Sequence, residues 1–294
     1  MTPAVEAFFD QATYTWTYVV RDPESSAAAI IDPVLDFDPA SGQASLSSAQ
    51  KITDFVRANG LSIEWILETH VHADHLSGAG YLQQSHGGRT GIGNLVTAVQ
   101  EVFGDLFNAE PAFARDGSQF DHLFADDETF RIGGLEGRVW QTPGHTPACI
   151  TYLFQGCAFV GDTLFMPDYG TARTDFPGGD ARILYHSIQR ILSLPPETTL
   201  YMCHDYGTET RSEFCHRTTV AEELTGNIHV GQGTKEDDFV RLRETRDQAL
   251  AAPRLLLPSV QFNMRGAAFP PPEDNGRQYL KIPVRLPDPL TGAG

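Results

Sequence analysis

The sequence is short of cysteine, of positive charge and of long apolar runs, and each shortage closes off a class of protein. Its four cysteines, Cys149, Cys157, Cys203 and Cys215, form no CxxC pair and no compact disulfide framework. They read as free, mostly buried thiols of a reducing compartment, so a cytoplasmic protein is expected. No apolar stretch approaches the ~20 residues that cross a bilayer. The opening MTPAVEAFFDQATYTWTYVV has no basic segment followed by an apolar one, so a secretory leader is not expected. Lys and Arg number 21 against 38 Asp and Glu, a formal charge of -17, and no basic cluster exceeds two residues. Nucleic acid and anionic membrane are therefore poor partners.

What is present suits a globular protein. Of 294 residues 41% are hydrophobic, enough for a sizeable core. A Pro-rich stretch with few apolar residues occurs only near the C-terminus, so one domain over residues 1–294 is expected, with an extended tail from about residue 268.

YTWTYVV (14–20) and AAAIID (27–32), joined by RDPESS, read as a β-hairpin. SSAQKITDFVRANG (47–60) reads as an amphipathic helix with a serine cap, Ile52, Phe55 and Val56 on one face and a stop at Asn59-Gly60. IEWILETH (63–70) is a short buried strand. GYLQQSHG and LVTAVQEVFGDLF (95–107) are helical, and Asn108 to Asp127 is polar and poorly periodic, as in a long surface loop. Four short strands follow in ETFRIGG, LEGRVWQTPGHT, CITYLFQG and CAFVGDTLF. DARILYHSIQRILSL (180–194) is a helix capped by Asp180, TTLYMCHDYG (198–207) a strand, and EDDFVRLRETRDQAL (236–250) a charged helix. Strand meanders broken by helices in both halves suggest sheets covered by helices.

Metal-binding chemistry concentrates at strand ends. HVHADH supplies His70, His72, Asp74 and His75, TPGHT supplies His145, VGDTLF supplies Asp162 and MCHDYG supplies His204. Taken singly, His145, Asp162 and His204 read as caps or turn residues. Three imidazoles in six positions do not, and alternation in an extended loop aims His70 and His72 the same way.

The ordered set THVHADHLSGAG, TPGHT, GDTLF and HDYG resembles the metallo-β-lactamase superfamily. The resemblance implies an α/β fold of αββα type, two mixed sheets face to face with helices outside and the metal at one edge. Similar sites run zinc hydrolysis, iron redox chemistry and oxygen reduction, so the superfamily alone does not fix the reaction. GDTLFMPDYGTARTDFPGGDARILYHSIQRILSLP (161–195), with HDYG and VQFNMRG (260–266), is similar to persulfide dioxygenases. Arg173 to Phe176 matches their Arg-Thr-Asp-Phe run, whereas Thr171 and Ala172 replace the Cys-Gly that often precedes it.

That resemblance implies one iron(II) per chain, bound by His70, His145 and Asp162 as a facial triad, with glutathione persulfide and dioxygen as substrates and sulfite and glutathione as products. His72, Asp74, His75 and His204 would then orient ligands and bound waters through hydrogen bonds. Arg173 is the candidate cation for the substrate carboxylates, and Tyr206, Asn263 and Arg265 are candidate pocket residues. The resembling family also contains dimers, so a homodimer is a further expectation. A second reading stays open: a glyoxalase II-like glutathione thioesterase with two zinc ions bridged by Asp162. A third, a silent binding protein, sits poorly with seven intact candidate residues.

Overall fold

A computed structural model describes residues 1–284 of the protein. The elements of the first half are β1 (Ala4–Asp10), β2 (Thr15–Arg21), β3 (Ala27–Ile31), β4 (Val34–Asp38), β5 (Gln43–Ser45), α1 (Ser47–Ala58), β6 (Ser62–Leu67), β7 (Leu76–Ser77), α2 (Ala79–His86), β8 (Arg89–Gly93), α3 (Val96–Leu106) and β9 (His122–Phe124). The second half adds β10 (Thr129–Ile132), β11 (Leu135–Gln141), β12 (Ile150–Phe154), β13 (Cys157–Phe159), α4 (Ala181–Leu192), β14 (Thr199–Tyr201), β15 (Arg217–Thr219), α5 (Val220–Gly226), α6 (Glu236–Asp247) and α7 (Leu256–Asn263).

β5, β4 and β7 form a small third sheet; of the two large ones, one runs β1-β2-β3-β6-β8-β9 and the other β10-β11-β12-β13-β14-β15. Both are mixed: β3, β6, β8 and β9 are mutually parallel, as are β13 and β14, whose crossover is α4. Strand alternation sends Tyr18, Val20, Ala29, Ile31 and Leu67 inward to meet Ile132, Val139, Ile150, Tyr152 and Phe159 of the facing sheet. The opposite faces are apolar too. Val19, Ile30 and Ile66 pack under α1 and α2 through Ile52, Val56 and Leu82, while Leu153, Ala158 and Leu200 pack under α4 through Leu184, Ile188 and Ile191. Burial on both faces accounts for the unbroken apolar character of β3, β12 and β13, which are buried throughout. The αββα fold expected from the resemblance is the fold observed.

Two readings need correction. The start of α1 is not capped by its own serine: Leu46 holds the cap position, and Asp36 of β4 accepts from Ser48 N (2.9 Å) and Ser48 Oγ (3.0 Å) instead. Residues 108–127 are not simply a surface loop, because Phe113 and Phe120 are buried against α3 and the segment runs into edge strand β9. The first residues form β1, an antiparallel partner of β2. The tail from about 268 has no regular structure as far as residue 284, and the rest of that expected extended segment lies outside the described residues. Among the described residues no helix is long and apolar enough to cross a membrane.

Candidate metal centre

The histidine loop begins where β6 ends and is held at both ends by side chains from elsewhere. Asp32, just after β3 with φ of 50°, accepts from Thr69 N (2.7 Å) and Thr69 Oγ1 (2.9 Å). Ile150 N of the other sheet donates to Thr69 O at 2.9 Å. At the far end Asn263 donates to His72 O and His75 O, each at 2.8 Å, and accepts from Ser77 N at 2.8 Å. The loop is thus held in one conformation, and at its far end β7 pairs with β4.

The second sheet supplies the other side chains. Gly144 adopts φ of 133°, and a Cβ there would lie 2.3 Å from Leu184 Cα, so only glycine lets the TPGHT turn press on α4. Ser187 Oγ donates to Pro143 O (2.6 Å) and Asp180 N to Gly144 O (2.9 Å), fixing the turn further. Beside it, His145 Nδ1 lies 2.8 Å from Arg173 O, which can only accept; the ring proton therefore sits on Nδ1 and Nε2 offers a lone pair. Asp162 follows β13, and His204 follows β14.

The seven side chains converge. His70, His145 and Asp162 form one group with candidate ligand atoms within 4.8 Å of one another, and His72, Asp74, His75 and His204 form another within the same limit. Asp162 lies between them: Oδ2 is 3.8 Å from His70 Nε2 and 3.7 Å from His145 Nε2, while Oδ1 is 3.3 Å from His204 Nε2. His204 Nε2 is also 3.2 Å from Asp74 Oδ2. These close approaches lack hydrogen-bond geometry: His70 Nε2, His72 Nδ1, Asp74 Oδ2, His75 Nε2, Asp162 Oδ1 and His204 Nε2 are buried without a hydrogen-bond partner. One such atom costs a protein of the order of 1–3 kcal/mol, so six gathered in two groups of candidate ligands mark a place for bound metal. The cluster is a metal-binding site.

For His70, His75 and Asp74 the electrostatics fit that reading. Burial pushes the His70 imidazole well below its ordinary value, and His72 and His145 push the same way. Burial and His72 also lower His75, against the pull of Asp74. For Asp74, burial favours the neutral acid, but His204 and His75 overcome it and keep the carboxylate charged. His72 goes the other way: burial opposes its charge, yet Asp32 at 3.0 Å and Glu68 at 3.2 Å from Nε2 outweigh it. Glu68 itself is raised by burial and also hydrogen-bonds Ser77.

The centre opens into a cavity of about 350 Å³, whose floor includes Asp74, His145 and Asp162. That is within the range of small-molecule sites. Its walls are apolar at Phe165, Phe176, Leu250 and Leu255, with Tyr206, Arg173, Arg246 and Arg254 as polar members. Tyr206 stacks on His204 (5.6 Å between ring centres, 19°), and burial with the Asp74 and Asp162 charges pushes its phenol well above 10. It therefore stays a hydrogen-bond donor.

The other expected substrate residues fall differently. Arg173 lines the cavity, but its guanidinium grips Asp175 (2.6 and 2.7 Å) and Ala251 O (2.7 Å). Asn263 and Arg265 do not line it. Asn263 ties down the histidine loop as described, and Arg265 makes a two-pronged pair with Glu110 (2.6 and 2.8 Å) over the ring of Phe113. The sequence reading missed Asp32, Glu68, Arg246, Arg254 and His229. The Asp in IIDP, at a strand end like the metal-site residues, was a usable signal. Arg246 gave none, being lost among the other charges of α6.

The signature of the Metallo-beta-lactamase superfamily covers residues 11–204. Over 290 residues the chain is 56% identical to a protein of Burkholderia pseudomallei named a probable metallo-hydrolase, covering 95% of this chain and 98% of that one. It is 46% identical over 282 residues to Glyoxylase B2 of Dictyostelium discoideum (95% and 96% covered). It is 31% identical over 267 residues to the mitochondrial persulfide dioxygenase ETHE1 of Mus musculus (90% and 89%). Among solved structures, ETHE1 from Myxococcus xanthus superposes with a TM-score of 0.71 at 28% identity, covering 90% of this chain and 99% of that one.

Proposed function

The chain belongs to the metallo-beta-lactamase superfamily, and on that premise we propose that it is an iron(II) persulfide dioxygenase acting on glutathione persulfide. The observation that carries this reading is the grouping of His70, His145 and Asp162, two imidazoles and one carboxylate. Such a donor set suits non-haem iron(II). Held by His70, His145 and Asp162, iron(II) would supply the electron chemistry that dioxygen requires. Overall, glutathione persulfide, dioxygen and water give glutathione and sulfurous acid, which ionises to sulfite.

The chain's own residues supply the rest. His145, with its proton fixed on Nδ1 by Arg173 O, presents Nε2 as a lone pair. His204 Nε2 stands between the two carboxylates, 3.3 Å from Asp162 and 3.2 Å from Asp74. Tyr206 offers a hydroxyl proton beside them, and Phe165 and Phe176 exclude water from the reacting sulfur. Arg246 and Arg254 give the mouth positive charge for an anionic thiol.

A second reading rests on the second group. His72, Asp74, His75 and His204 could hold another ion, with Asp162 between the two, and the similarity to Glyoxylase B2 points the same way. The protein would then be a zinc thioesterase with a metal-activated water. Metal content and turnover separate the two. The first reading expects one iron per chain and one dioxygen consumed per sulfite formed from glutathione persulfide. Two zinc ions, hydrolysis of lactoylglutathione and no oxygen uptake would replace it with the second.

A further inference from the structure

We propose that His229 is a substrate-recognition residue whose Nε2–H, fixed as a donor by Thr171, receives a carboxylate of the thiol substrate on the cavity wall. The assignment rests on the glutathione-thiol reading common to both functions above and is independent of which metal is bound.

His229 lies beyond α5, is 3% exposed and lines the same cavity as the metal centre. Thr171 N donates to its Nδ1 at 3.0 Å, and a backbone N–H can only donate. Nδ1 therefore carries the lone pair, and the neutral ring holds its proton on Nε2. Burial, with Arg243 and Arg246 nearby, pushes the ring down to about 3, so this tautomer persists across physiological pH. The ring is also held in place. Asn227 Oδ1 accepts from His229 N at 2.8 Å, and Gly170, at φ of 104°, would put a Cβ 2.2 Å from Nδ1. Only glycine allows that loop to close on the imidazole.

All this positioning leaves Nε2 buried with no partner among the described residues. Arg243 shares the wall and the anchor: it donates to Thr171 O (2.8 Å) and Asp247 (2.6 Å), yet its buried Nε has no partner either. Two unmet donors, with the exposed Arg246 also lining the cavity, ask for an acceptor carrying negative charge. A metal ion cannot bind an N–H, so the ligand is an anionic oxygen, and glutathione carries two carboxylates.

The test is binding of reduced glutathione to metal-loaded protein by titration calorimetry, which needs no turnover. In His229→Asn the amide oxygen can still accept from Thr171 N, but nothing reaches the Nε2 position. Glutathione should bind that variant about 10- to 100-fold more weakly, with melting temperature and metal content unchanged. His229→Gln, whose amide extends to the Nε2 position, should recover part of the loss. Glutathione diethyl ester should bind wild type and His229→Asn alike. Wild-type affinity in His229→Asn overturns the assignment. So does a loss in both variants accompanied by a lower melting temperature or metal content, because His229 would then be structural. Failure of the wild-type protein to bind glutathione overturns the thiol reading and the assignment with it.

Discussion

Glu223 shows what a single buried carboxyl does to the stability of this protein. It is fully buried on α5, Asn227 Nδ2 donates to its Oε2 at 2.6 Å, and Oε1 has no partner. Burial pushes its pKa from an ordinary 4.5 up to about 8. Between those values the folded chain holds one proton more than the unfolded chain, so the slope of stability against pH is negative. The contribution is fully present below about pH 4.5 and is lost progressively as the pH rises through about 8. Glu223→Gln keeps an oxygen for Asn227 and removes the titration. The variant should match wild type at acid pH and melt higher above about pH 8, the gap opening across that window. Parallel melting curves for the two proteins at all pH values would show that Glu223 does not titrate there.

At the scale of elements, the site is a set of strand ends, which is why so much of it was legible. His70, His145, Asp162 and His204 each follow a strand, and a strand end flanked by Gly, Pro or Thr leaves its mark in a single sequence. Asn263 and Arg265 were misplaced because their partners are distant: Glu110 is 155 positions from Arg265, and no periodicity encodes such a pairing. The serine cap of α1 failed similarly, since Asp36 of another element does its work. One turn offers a direct test of how elements position ligands. Gly144→Ala would drive a Cβ into the backbone of α4 at Leu184 and strain a φ of 133°. The expected cost is roughly 2–4 kcal/mol, and His145 should move with the turn. Metal content should then fall while the spectroscopic secondary structure persists. Full metal occupancy and an unchanged melting temperature would mean the turn has slack that its packing does not show.

Across the whole molecule, the metal centre joins the two sheets. His70, His72, Asp74 and His75 come from the loop after β6, whereas His145, Asp162 and His204 come from loops after β11, β13 and β14. An ion held by residues from both sets of loops would tie the two halves of the sandwich together and satisfy buried atoms that otherwise lack partners. Unfolding separates the halves and destroys the site, so binding energy becomes folding energy. With free metal about 1,000-fold above its dissociation constant, the gain is about 4 kcal/mol, which for a chain of this size raises the melting temperature by roughly 5–10 °C. Chelated protein should therefore melt lower than loaded protein, and anaerobic iron(II) or zinc should restore the difference. His70→Ala removes a donor from one group and should blunt the metal-induced rise. If chelated and loaded protein melt together, or if His70→Ala responds as fully as wild type, the ion does not tie the sheets through this cluster.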